Sequence, residues 1–170
     1  MRRPPERRGF RRGNMILEAA MWIPICTLLL VGMAQVGKIT YTYYTLRKAI
    51  YSVAQYISAQ QSANFCDSAD AVIAAGISFG ITGTTDNTGT PLITGLTPDM
   101  ITVTAELYDP QTQTLAAWDP TGCDTVAGGN TPQFIVVSIP NGYLVQPRIP
   151  LLPVLDPIPL KPVVKVPYGG

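Results

Sequence analysis

The chain has 170 residues, of which 46% are apolar and only 14% charged, with no histidine and three cysteines. Its net charge of +1 hides an asymmetry: Arg2, Arg3, Arg7, Arg8, Arg11 and Arg12 crowd the first thirteen residues against the single acid Glu6, whereas the rest carries six cations against ten acids, a net of −4. An acidic body behind a cationic leader argues against nucleic acid as a partner, and a chain without histidine lacks the side chain most used for general base work and for metal binding.

Residues 1–13 form the basic leader, and the apolar run follows at once. From Ala19 to Gly37 no side chain is charged, and nineteen residues at about 1.5 Å each span roughly 28 Å as a helix, the thickness of a bilayer core. We assign residues 14–37 to a transmembrane helix. The arginines place the N-terminus in the cytoplasm by the positive-inside rule, so everything beyond about Lys38 lies outside. One residue does not suit the apolar run. Glu18 brings a carboxylate that costs about 2.5 to 3.5 kcal/mol at the centre of such a helix, and less near an interface, so it calls for a partner.

Spacing suggests the partner. Cleavage after Gly13 would give Asn14 a new α-ammonium one helical turn from Glu18. The Gly13 to Glu18 pattern ahead of an apolar helix resembles the class III signal of type IV pilins and pseudopilins. Glu18-Ala19-Ala20-Met21-Trp22-Ile23-Pro24 and the aliphatic block Ile25 to Val31 are similar to the opening of TadE-like minor pilins, with a glutamate, a short apolar run and a proline six residues on. The likeness covers residues 12 to about 60. Asn14 departs from it, standing where major pilins begin with phenylalanine. The resemblance implies cleavage between Gly13 and Asn14 by a prepilin-type peptidase, and pairing of Glu18 with the N-terminal amine of a neighbouring subunit. It also implies a place in the tight-adherence pilus system, with other pilin subunits, the pilus assembly platform and the membrane as partners. The expected location is the bacterial inner membrane with the C-terminal domain periplasmic, and then the extracellular pilus.

Tyr43, Leu46, Ile50, Val53 and Ile57 recur at spacings of three and four, so residues 38–64 read as an amphipathic extension of the same helix, running to about Gln61. A break at Gly37 into two helices is the alternative. Pro24 removes one helical hydrogen bond and crowds the carbonyl of Ala20, which predicts a kink or local loosening. Tyr41, Tyr43 and Tyr44 suit an aromatic belt at the outer membrane surface.

Residues 65–146 read as an external α+β domain. Asp67 or Ser68 is suited to cap a short helix through about Phe79, with Val72, Ala75, Gly76 and Phe79 on one face. Residues 80–98, rich in Gly, Thr, Asn and Pro, read as a mobile surface loop. Ile101, Val103, Ala105 and Leu107 alternate with polar residues as a half-buried strand does, and Phe134 to Ile139 is a continuous apolar run suited to the centre of a sheet. Cys66 and Cys123 fall in this external part, where a bridge would close a loop worth about 4 kcal/mol, with separate buried thiols as the alternative. Cys26 sits in the membrane segment, outside that pairing.

Residues 147–170 form a proline-rich tail. Prolines at 147, 150, 153, 157, 159, 162 and 167 alternate with Ile, Leu and Val and predict an edge strand or polyproline II, docked on its own domain or on a neighbour. The fold class is therefore α+β: a long N-terminal transmembrane and stalk helix, then a small external domain with a short helix, an antiparallel sheet and an extended tail. No Gly-x-Ser-x-Gly elbow, P-loop or dinucleotide fingerprint occurs, and no metal-ligand spacing. Asp109, Asp119 and Asp124 fit no EF-hand loop. We expect no enzyme, no catalytic or metal site and no cofactor. Two other readings compete with a pilin: an exported binding domain released by ordinary signal peptidase after Gly32-Met33-Ala34, and a single-span anchored envelope protein outside any filament.

Overall fold

In the computed structural model, residues 10–67, 69–118, 131–147 and 156–169 are described, with side chains from Met15 onward. Leu, Ile, Met and Ala fill the first long run, and its Thr and Ser side chains need no outside partner. The hydroxyls of Thr27, Thr42, Thr45 and Ser52 donate to the carbonyls four residues earlier at 2.8, 2.9, 2.9 and 3.1 Å. Helix α1 accordingly runs unbroken from Phe10 to Ser58, 49 residues or roughly 74 Å, through both Pro24 and Gly37. It stops short of Gln61, where Gln60 N–H turns to the Ile57 carbonyl at 3.0 Å.

Helix α2 covers Ala71–Thr82. Its cap is Asp70, one turn later than the Asp67 or Ser68 expected. The Asp70 carboxylate accepts from Val72 N–H at 2.9 Å and Ile73 N–H at 3.0 Å. Asp67 instead accepts from Ala69 N–H within a tight turn, and Ser68 lies outside the described residues. Gly83, in the left-handed region at φ 78°, ends α2 by returning its N–H to the Phe79 carbonyl at 2.8 Å. The helix thus runs past Phe79.

Residues 80–98 were expected to be a mobile surface loop, yet they supply Ile81, Ile93 and Leu96 to the core. Leu92 N–H donates to the Ile81 carbonyl at 2.8 Å, and Tyr143 Oη donates to the Thr94 carbonyl at 2.6 Å. Isolated apolar residues within a Gly/Thr/Pro-rich stretch show no period, so their inward direction is set by the body they pack on.

Strands β1 (Thr102–Asp109), β2 (Thr114–Ala117), β3 (Phe134–Ser138) and β6 (Val163–Pro167) form an antiparallel sheet in the order β2-β1-β3-β6, and β4 (Tyr143–Val145) pairs with β5 (Ile158–Leu160) in a small ribbon. The alternating run at 101–107 and the apolar run at 134–139 appear as β1 and as β3, which has neighbours on both sides. Register places Val103, Val137 and Val164 in one row and Ala105, Ile135 and Val166 in the next, all on the face turned to α1. On the opposite face Glu106 and Lys165 reach across β3 to form an ion pair, and their stems shelter Val136, which is 8% exposed. The described part of the proline-rich tail, 156–169, enters both sheets. On β6 the outward edge presents Val163, Lys165 and Pro167, a short edge carrying a charge and a missing donor, which resists pairing with a further chain.

The core forms between α1, α2 and the inner sheet face. Leu46, Ile50, Val53, Ala54 and Ile57 of α1 are completely buried. Helix α2 approaches α1 closely through Gly76 and Gly80. A methyl group at Gly76 would lie 2.7 Å from Ile57 Cγ1, and one at Gly80 would collide with Val53 Cγ2 and lie 2.8 Å from the Ala49 carbonyl oxygen. At the far end Phe65 stands edge-on to Tyr168 and Trp118, with ring centroids 5.4 and 6.3 Å apart, and Tyr168 Oη donates to the Gln60 carbonyl at 2.8 Å. These contacts tie the end of the stalk helix to both margins of the sheet.

Candidate membrane and assembly site

Helix α1 changes character along its length. Its outer third is the spine of the domain core, while residues 15–30 are exposed on every side: Met15 is 75% exposed, Leu17 69%, Met21 74% and Leu30 67%. None of the most apolar eighteen-residue window is buried. An apolar helix in the core of a soluble domain would be covered by its own chain; this one presents a bare apolar surface far larger than folded domains expose to water. A long apolar N-terminal helix of this kind is compatible with a membrane anchor.

The residues singled out from sequence fall along that helix. Gly13 and Asn14 belong to α1, and their side chains lie outside the described residues. Glu18 is exposed one turn further on, with no ion pair or hydrogen bond from its carboxylate among the described residues. Pro24 sits exposed inside the helix. Met15, Ile16, Ala19, Ala20 and Ile23 line a shallow apolar hollow, about 130° round the helix from Glu18. The two alanines lower the helix surface there, which favours close approach by another helix.

Cys26 is a free thiol on the exposed part of α1, and Cys66 is disulfide-bonded. Cys123, its expected partner, lies outside the described residues, as do Asp119 and Asp124. Asp109 is a turn former. It accepts from Gln111 N–H and from Thr112 Oγ1, both at 2.8 Å, and these bonds hold its carboxyl below the ordinary aspartate range. Asp86 is lowered in the same way by the Thr88 hydroxyl at 2.8 Å and the Thr88 N–H. No group of three or more His, Cys, Asp or Glu side chains comes together among the described residues. A cleft of about 480 Å³ lies between Phe65, Ile73, Ile77, Val103 and Trp118, beside Cys66, with walls that are mainly apolar.

Sequence reasoning missed two features. Gly76-x-x-x-Gly80 was a signal for close helix contact that could have been read. The Phe65, Trp118 and Tyr168 cluster joins residues more than a hundred positions apart and carries no local signal. No family model, curated protein or solved structure matches the chain.

Proposed function

We propose that the chain is a TadE-like minor pilin or pseudopilin, inserted in the membrane by α1, processed after Gly13 and built into or priming a tight-adherence pilus. The observation that carries the reading is the bare apolar helix with one unpaired carboxylate, Glu18, a turn beyond Asn14. In the assembled state the Asn14 ammonium of one subunit and Glu18 of another neutralise each other as apolar helices pack. An unpaired charge in that bundle would cost several kcal/mol, so the pair favours one axial register over its neighbours. The hollow beside Ala19 and Ala20 offers the packing surface. Cleavage also removes six arginines from the leader and so eases extraction from the bilayer. The reading needs no catalytic chemistry and no cofactor.

N-terminal sequencing of the mature protein is the direct test. A start at Asn14 is expected; a start at Gln35 would mean ordinary secretion, and an intact leader a plain anchor. Glu18→Ala should leave membrane insertion intact and abolish incorporation into filaments, and unchanged incorporation would sink the pairing.

A further inference from the structure

The stretch between Glu18 and Asp67 contains no acid, and its only charges are Lys38, Arg47 and Lys48. The residues beyond it carry nine acids against three cations. The stalk is therefore a positive collar between an uncharged span and a negative domain. At about 100° per residue, Tyr41, Tyr44, Arg47, Lys48 and Tyr51 share one side of α1, opposite the side that Leu46, Ile50, Val53 and Ile57 bury against the sheet and α2. Tyr41, Tyr44 and Tyr51 are 73%, 63% and 50% exposed, and Arg47 and Lys48 are exposed with no side-chain partner among the described residues. This side is open, whereas the domain covers most of the other.

We propose that the Tyr41–Tyr44–Arg47–Lys48–Tyr51 stripe is a binding surface for anionic phospholipid headgroups at the membrane level where α1 emerges. The occupant follows from charge and position. A second copy laid along the stripe would set cations against cations, whereas a phosphate layer complements them. The stripe also continues directly from the apolar span, where lipid is the neighbour. Tyr41 and Tyr44, about 6 and 10 Å beyond Gly37 along the helix, suit the glycerol and headgroup level, the long Arg47 and Lys48 stems lean back toward the helix N-terminus and let both charges reach down to the phosphates, and Tyr51 forms the outer end of the stripe. The inference rests on the membrane anchor and not on filament assembly.

Full-length protein is reconstituted in phosphatidylcholine vesicles with trace spin-labelled phosphatidylglycerol or phosphatidylcholine, and the motionally restricted fraction of each label gives their relative association. Phosphatidylglycerol is expected to be preferred at least about threefold, less so in 0.5 M salt. The double variant Arg47→Gln, Lys48→Gln should lower the ratio at least about twofold, the remainder belonging to the leader arginines, while Lys161→Gln in the domain leaves it unchanged. A ratio of one for the unaltered protein overturns the proposal. So does a preference that the double variant leaves undiminished and that falls only when Arg7, Arg8, Arg11 and Arg12 are replaced by Gln, which would assign it to the leader. Cross-linking between copies through Tyr44→Cys without lipid preference would give the stripe to a second copy and also overturn it. The vesicles hold no assembly machinery, so the outcome is independent of whether the chain enters a filament.

Discussion

Replacing Gly80 by alanine adds one methyl group at the tightest point between α1 and α2. That methyl would collide with Val53 Cγ2 and stand 2.8 Å from the Ala49 carbonyl oxygen, with Val53 N at 3.3 Å. Val53 can turn aside, but the carbonyl belongs to a helix that is itself packed on the sheet, so α2 must move. Overpacking of this kind costs about 1 to 3 kcal/mol. Alanine returns about 1 kcal/mol of helix propensity over glycine, so with the larger strain figure the net loss is about 2 kcal/mol. For a body of this size that is a fall of roughly 6 to 10 °C in Tm. Trp22 and Trp118 are the only tryptophans, and Trp118 is buried. A Trp22→Phe background in detergent therefore makes Trp118 fluorescence a reporter of domain unfolding. In a Val53→Ala background, which opens space under the new methyl, Gly80→Ala should cost at least about 1 kcal/mol less. The absence of coupling to Val53 would refute the close crossing of the two helices.

Asp70→Ala should cost about 1 kcal/mol by removing the acceptor for two N–H groups of α2, while Asp70→Asn, an equally good cap, should be nearly silent in the same unfolding assay. Tyr168→Phe should cost about 1 kcal/mol at pH 7 by losing the bond to the Gln60 carbonyl. Burial holds the Tyr168 hydroxyl above its ordinary value of 10.0. Because the folded state keeps the proton more tightly, this contribution is whole below pH 10 and is lost as pH climbs through the raised value, so the gap between wild type and Tyr168→Phe should shrink there; a gap constant to pH 11 refutes the linkage. The Glu106 and Lys165 pair is partly exposed, so a double-mutant cycle should give no more than about 1 kcal/mol, reduced by salt. A coupling above about 2 kcal/mol would show that the pair is far less screened than its position implies.

Local pattern carried several elements through to the structure. The alternation at 101–107 became β1 because a half-buried strand repeats every two residues, and the unbroken apolar run at 134–139 became a strand with neighbours on both sides. Capping was less legible. Asp67 and Asp70 are chemically equal candidates, and the choice fell to Asp70 because α2 must start where Ile73 and Gly76 meet α1. Ile93 and Leu96 gave no period to read, and nothing in a loop sequence says which side chains turn inward.

The candidate site divides in the same way. Arginine leader, apolar run and lone carboxylate are linear features, and one reading along the chain marks Gly13, Glu18 and Pro24. That residues 15–30 find no cover among the described residues is a property of the fold, since an equally apolar helix could have been a buried core element. The tyrosines at 41 and 44 could be read from sequence as a belt. Their alignment with Arg47, Lys48 and Tyr51 on one open side was decided only when the sheet and α2 took the other side of the same turns. Sequence by itself thus determined an apolar, uncharged run long enough to span a bilayer, a charge reversal across Gly13 and the strand periods, because each depends on neighbours in the chain. Tertiary structure alone decided which face of the stalk is covered, how closely α2 can approach and where the proline-rich end docks, because each depends on contacts between residues far apart in sequence.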